Sequence, residues 1–291
     1  MKINWSLYKP SLVILIASAM LVSGCVGFRG VPVRASDSMF QENSVKKIAI
    51  LSAGRVEWPR WGGKEPVLGL VESEQSLAII TPKLREILAN KGYEVVFSEP
   101  VGIGYYSPSY KENWVIENYG GKDEQFKKWQ VVDNSPAFEY PIVQNNQEFC
   151  KAVRNIFEQI ELAIYWKDIN IFSPSKNDLE VIRQFTGGDT IFFFRVWGRR
   201  FSTQRKVATA YEYLPPVPHG TNDWGSYLLS FVNASSGEVL WQGVSVGKDP
   251  SVPEKTGVNE ILSYFPKIDQ TMDTTKCKKK DLDGPTYVCP K

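Results

Sequence analysis

The sequence predicts an α/β (α+β) fold: a mixed sheet of about five strands with helices packed on it, in one main domain with an aromatic-rich insertion. Three observations carry that prediction. Short, nearly continuous apolar runs, such as Ile48 to Leu51 and Thr190 to Phe194, suit strands buried on both faces. Two stretches of about twenty residues carry apolar positions at helical spacing instead. The two patterns alternate along the chain, as they do where a helix returns the chain to a parallel strand.

The chain opens with a segment of a different kind. Lys2 and Lys9 precede an uncharged, mostly apolar stretch from Leu12 to Val22, about eleven residues long. A spanning helix needs roughly 20 apolar residues, so this stretch is too short for a stable anchor and has the organisation of a secretory signal. It ends in Val22-Ser23-Gly24-Cys25, which resembles the lipobox of bacterial lipoproteins. That resemblance implies cleavage before Cys25 and acylation of its thiol and new amine, with residues 1–24 removed. Several acyl chains hold a protein firmly where one binds reversibly. Val26 is not the aspartate that resembles an inner-membrane retention signal, so the expected location is the outer membrane, with the domain facing the periplasm. Residues 25–44 are small and polar and read as a lipidated flexible tether, with an r.m.s. span of roughly 25 Å.

The domain is expected over residues 45–268. "VKKIAILSAG" opens it with a buried strand, and an aromatic, Gly-rich loop, "GRVEWPRWGGKEP", follows. Leu77, Ile80, Leu84, Ile87 and Leu88 then mark a helical face between Glu72 and Asn90. Pro82 falls inside that pattern, and Thr81-Pro82 reads as the N-cap and first position of a second helix. "YEVVFS", Tyr93 to Ser98, is the next strand. Residues 99–145 break the rhythm with many aromatics scattered among Gly, Pro, Asn and Lys. They read either as an insertion packed on the domain or as a surface for a partner or glycan, with Trp114, Tyr119, Trp129 and Tyr140 as partner-binding candidates.

A second long helix is expected from Asn146 to Trp166, on the stripe Phe149, Val153, Ile156, Phe157, Ile160 and Ile164. "SPSKNDLEVIRQFTGGD" gives a short capped helix with a Gly-Gly stop, and "TIFFFRVWG" a strand dense enough in apolar residues to be central. "SYLLSFVNASSGEVLWQGVSVG" reads as a hairpin, with arms Tyr227–Val232 and Val239–Val246 and a turn from Asn233 to Gly237. "EKTGVNEILSYFPKI" closes the domain with a helix. The tail, 269–291, is polar and Lys-rich; Cys277 and Cys289 stand twelve apart in it and are expected to form a disulfide outside the cytoplasm rather than remain free thiols. Cys150 falls on an apolar helical face and reads as a small buried hydrophobe.

Composition narrows the function. Removal of 24 residues from 291 leaves 267, and loss of Lys2 and Lys9 leaves 32 basic against 32 acidic side chains. A near-neutral chain does not suit general nucleic-acid binding, which needs surplus cations. Lys276 and Lys278 to Lys280 read as a solvated face, partly offset by Asp281 and Asp283. The chain has one histidine, His219, in a Pro-rich loop without a nucleophile-elbow pattern, and neither a metal nor a cofactor is expected. Gly102-Ile103-Gly104 lacks the third glycine of a dinucleotide fingerprint, and "WGGKEP" lacks the Ser or Thr of a P-loop.

The order of elements behind a lipobox, with the hairpin "LLSFVNASSGEVLWQG", resembles a broad group of bacterial envelope lipoproteins. The group includes relatives of the curli-secretion lipoprotein and the penicillin-binding-protein activator; its α/β domain is similar to the amino-terminal domain of the periplasmic Tol-system protein. The resemblance spans Val45 to about Ile268, without the insertion. It implies a lipid-anchored protein that acts by contact, on an unidentified envelope protein or wall polymer, and carries no catalytic residues with it. Homo-oligomerisation is left open. The competing expectation is a wall- or glycan-active enzyme using paired carboxylates near the insertion.

Overall fold

The structure, a computed structural model, describes residues 30–35, 47–58, 67–105, 130–131, 138–166, 172–199, 224–247, 258–268, 270, 278–282 and 284–290. In chain order its strands are β1 (Gly30–Ala35), β2 (Lys47–Trp58), β3 (Val67–Gly69), β4 (Glu94–Ile103), β5 (Gln130–Val131) and β6 (Phe138–Glu139). They continue with β7 (Thr190–Arg199), β8 (Trp224–Asn233), β9 (Val239–Gly247), β10 (Lys278–Leu282) and β11 (Gly284–Pro290). The helices are α1 (Leu70–Asn90), α2 (Pro141–Gln144), α3 (Gln147–Trp166), α4 (Lys176–Thr186) and α5 (Val258–Ser263).

All eleven strands join one mixed sheet in the order β10-β11-β1-β9-β8-β7-β2-β4-β6-β5, with β3 beside β2. β2 is parallel to both of its long neighbours, β4 and β7, and every other pairing is antiparallel. The α/β class is as expected, but the sheet is far wider than five strands. The additional width comes from segments without a sequence pattern. Gly30–Ala35, inside the expected tether, is a strand held on both sides, Val31 opposite Cys289 and Ala35 opposite Trp241. Lys278–Leu282 and Gly284–Pro290, in the expected polar tail, form a hairpin that continues the sheet. Backbone hydrogen bonds to an existing edge order such segments whatever their side chains.

The helices divide between the two faces. α1 covers one, burying Leu77, Ile80, Leu84 and Leu88 with Ile48, Ile50, Phe192 and Phe194 of the strands. It is a single helix, not two. Pro82 lies on its exposed side, and buried packing on both sides of that position holds the helix through it. Thr81 caps nothing; its hydroxyl is buried and lies 2.6 Å from Ser52 Oγ on β2.

On the same face Phe192, Phe231 and Trp241 face one another across β7, β8 and β9. Phe231 stacks on Phe192 and Phe265 at centroid distances of 4.1 and 3.9 Å, and Trp241 meets Phe231 and Phe265 edge-on at 5.6 and 5.4 Å. Trp241 is fully buried, so the hairpin presents it to the core and not to a partner. Gly243 lets α5 approach, since a Cβ there would lie 2.4 Å from Ile261. The segment after α5 is latched to the α1–β4 turn: Lys91 Nζ donates to Phe265 O (2.7 Å) and Tyr93 Oη to Pro266 O (3.1 Å).

α3 and α4 cover the opposite face, where Phe149, Val153, Ile156, Phe157 and Ile160 meet Ala49, Leu51, Ile191 and Phe193. The β8–β9 turn falls where expected. Asn233 Oδ1 accepts from the N–H groups of Ser235 and Ser236, both at 3.0 Å, and Gly237 has φ of 77°.

Candidate functional site

A strand sends alternate side chains to opposite faces, so β2 and β7 must each satisfy two environments. On the α1 face they carry no charge, closing with Val56 and Val196. On the α3 face Ala53, Arg55 and Glu57 of β2 lie beside Arg195, Trp197 and Arg199 of β7 in direct register. At this point the apolar face becomes ionic.

The centre is Arg195, 2% exposed, whose Nε and Nη2 donate to the two carboxylate oxygens of Glu161 on α3 at 2.5 and 2.7 Å. Glu161 is itself 5% exposed. Burial lowers the Arg195 pKa and Glu161 opposes that shift; the guanidinium stays a cation. This two-pronged grip uses one edge of the guanidinium and turns Nη1 away from Glu161. Nη1 is buried and has no hydrogen-bond partner. A buried donor left unmade costs about 1–3 kcal/mol, so folding alone gives no reason to keep it.

Around this pair stands a second, wetter one. Glu57 is 1% exposed and accepts from Arg55 Nε at 2.7 Å and, more distantly, from Arg199 Nε at 3.4 Å. The Trp197 ring lies between two guanidinium carbons, 5.6 Å from that of Arg195 and 6.0 Å from that of Arg199. Side-chain exposure rises from 3% at Arg195 to 13% at Arg55 and 38% at Arg199, so the cluster runs from the interior to the surface.

Topology gives the location meaning. The chain passes from β2 to β4 by way of α1 on one face, and from β4 to β7 by way of α3 and α4 on the other. β2 is the middle of the three parallel strands, and the winding reverses between it and β7. Ligands of open α/β sheets lie outside the carboxyl ends of the strands at such a reversal. The ionic cluster occupies that end.

A second ionic group lies between β6 and α3. Glu139, 2% exposed, is held by Arg154 at 2.5 and 2.7 Å and accepts from the Cys150 thiol at 3.2 Å. Burial, with that bond to Glu139, pushes the Cys150 thiol up to about 11, so at neutral pH it is an inert thiol. Cys150 is buried, as expected, but it touches a carboxylate rather than apolar groups alone. Glu139 begins the return from the insertion, and its carboxylate is committed to Arg154.

Of the residues picked out from sequence, Cys25, Trp114, Tyr119, Trp129, His219 and Cys277 lie outside the described residues. Tyr140 is half-buried before α2 and packs against the α1-side core. Cys289 falls in β11, and Gly102 and Ile103 end β4. The structure does not bring Tyr140 and Cys289 together. The ionic residues went unrecognised from sequence. Their signal is a period of two in charge, Arg55 and Glu57 in "GRVEW" and Arg195, Trp197 and Arg199 in "FRVWGR", set into otherwise buried strands. Among the described residues no group of His, Cys, Asp and Glu could hold a metal, and no helix is long and apolar enough to cross a membrane.

No protein-family model matches the chain, and no curated protein matches it. Solved structures similar to it in part include the following two. Lipoprotein GNA1162 from Neisseria meningitidis is 12% identical, with 69% of this chain and 81% of that one covered, at a TM-score of 0.27. The LpoB C-terminal domain from Salmonella enterica is 11% identical, with 72% and 90% covered, at a TM-score of 0.25. Likeness that loose carries no argument about function.

Proposed function

We propose that this chain is a lipid-anchored protein of the bacterial outer membrane, facing the periplasm, that acts without catalysis by binding another envelope component. Its role is that of an accessory to secretion, assembly or wall synthesis, and the component is a protein or a wall polymer. The observation that carries the reading is the amino-terminal run ending in Val22-Ser23-Gly24-Cys25, in which charge, apolar length, small residues and cysteine all agree. Two features of the domain support it. Glu57, Glu139 and Glu161 are each committed to a guanidinium, and a clamped carboxylate is a poor general acid. The thiol of Cys150 is held protonated.

Metabolic labelling with a fatty-acid probe tests the anchor: the parent chain is labelled and Cys25→Ser is not, and labelling that persists in the variant overturns the assignment. Crosslinking in intact cells tests the binding role, and recovery of no specific partner across growth conditions counts against it. The bridge between Cys277 and Cys289 tests the compartment. Mass spectrometry of unreduced protein is expected to find them joined.

A further inference from the structure

β1 begins at Gly30, five residues after Cys25. Five residues reach about 18 Å when fully extended, so an acylated Cys25 holds the sheet itself close to the bilayer. Register fixes which end of the sheet is held there. Gly30 is opposite Pro290 of β11, and Val288 is opposite Lys278, where β10 begins. β9 is antiparallel to β1, so this is also the end where β9 finishes at Gly247, opposite Gly225 of β8. The β8–β9 turn, with Lys176 beside Gly237, lies at the other end.

Charge is segregated along the same axis. β10 reads Lys278-Lys279-Lys280-Asp281-Leu282, with the lysines toward the anchored end and Asp281 toward the turn, opposite Pro285. The five neighbouring strands β8, β9, β1, β11 and β10 contain one acidic residue, Asp281. Arg29, Lys276 and Lys291 adjoin the strand ends at the anchored side in sequence. Basic residues close to a bilayer are drawn to anionic headgroups, and together with a lipid chain they hold a protein more firmly than either alone.

We propose that the β10–β11 hairpin, through the end that carries Lys278, Lys279 and Lys280, docks on the anionic phospholipid surface of the membrane that holds Cys25. The docking orients the domain: the Gly30 end faces the bilayer and the β8–β9 turn points away from it. It rests on the lipid-anchor reading for its proximity and on the hairpin for its chemistry.

The test is acetylation of lysines by a water-soluble reagent, read residue by residue by mass spectrometry on the full chain. The chain is placed in phosphatidylcholine vesicles and in vesicles of equal parts phosphatidylcholine and phosphatidylglycerol. In the mixed vesicles Lys278 to Lys280 are expected to react several-fold more slowly, while Lys176, exposed at the far end, reacts at the same rate in both. Salt is expected to abolish the difference, since the Debye length falls from about 10 Å at 0.1 M to about 3 Å at 1 M. Equal rates for Lys278 to Lys280 in the two vesicle types, or equal protection of Lys176, overturn the docking. So does stronger protection by soluble polyglutamate at matched charge, which assigns the lysines to acidic polymers. Cys25→Ser separates the docking from the anchor. Flotation with mixed vesicles is expected to retain that variant in part, and adding Lys278→Gln, Lys279→Gln and Lys280→Gln to lower its partition roughly tenfold or more. If the parent takes up no fatty-acid label but the glutamine effect persists, the anchor fails and the docking stands. If the parent is labelled and the glutamines change nothing, the docking fails and the anchor stands.

Discussion

The two faces of the sheet are built from the same strands and have different contents. On the α1 face β2 and β7 contribute Ile48, Ile50, Phe192, Phe194 and Val196, and an aromatic column closes the packing. On the α3 face the same strands begin apolar, with Ala49, Leu51, Ile191 and Phe193, and finish ionic. An apolar face contributes stability in proportion to buried area and asks little of geometry. A buried ion pair contributes less, because desolvation offsets its attraction, but it fixes the direction of each group. The first face holds the fold and the second positions charge, which is why the candidate site lies on the second.

Loss of the aromatic column is the severest way to break this contrast. Trp241→Ala removes a fully buried indole that touches Phe231 and Phe265, and is expected to cost about 3–5 kcal/mol in denaturant unfolding. Trp241→Phe costs less, since the indole N–H has no hydrogen-bond partner to lose. An alanine variant with unchanged stability would refute the assignment of this face as the stabilising one.

On the ionic face the effect depends on what is left behind. Glu161→Leu alone leaves Arg195 buried without its counter-ion and is expected to cost about 3–5 kcal/mol. Adding Arg195→Met is expected to recover most of that loss, which a double-mutant cycle measures directly. If the double variant were as unstable as the single, the pair would be a foundation of the fold and the contrast would fail.

The β8–β9 turn tests the α4 side more gently. Gly237 has φ of 77°, and a Cβ there would meet the flexible Lys176 side chain at 3.3 Å and Leu179 Cδ1 at an ordinary 3.8 Å. The expected cost of Gly237→Val is therefore backbone strain, about 1–3 kcal/mol. A melting temperature equal to that of the parent would mean that the turn is free to rearrange.

The smallest expected effect is that of Cys150. Its thiol loses its proton near 11 in the folded chain but near 9 when unfolded, so between those values the unfolded state binds fewer protons. Stability therefore falls as pH rises from 9 to 11, and Cys150→Ala is expected to flatten part of that slope. Thermal melts across this range would reveal an identical slope if the thiol were uninvolved.

Much of this was legible in the sequence, and the reason is local periodicity. The stripe Phe149 to Ile160 and the density of "TIFFF" each specify an element together with its buried face, because residues three or four apart on a helix, or two apart on a strand, share an environment. The turn at Gly237 was readable because an Asn with a downstream Gly favours one local geometry. Pro82 was misread because a local rule was applied where tertiary packing prevails: seven buried side chains hold α1 against the sheet through the missing hydrogen bond.

Pairing and encounter were beyond the sequence. Gly30–Ala35 and the β10–β11 hairpin are strands because an edge was waiting for them, and an edge is a property of the assembled sheet. Arg195 and Glu161 are 34 residues apart, and nothing local to either specifies the other. The sequence by itself determined the long helices and the central strands, their apolar faces, and the lipobox-like start. Only the tertiary structure decided that β2 and β7 lie parallel with their charged ends in register under α3, because strand order and register are set by packing across the whole sheet.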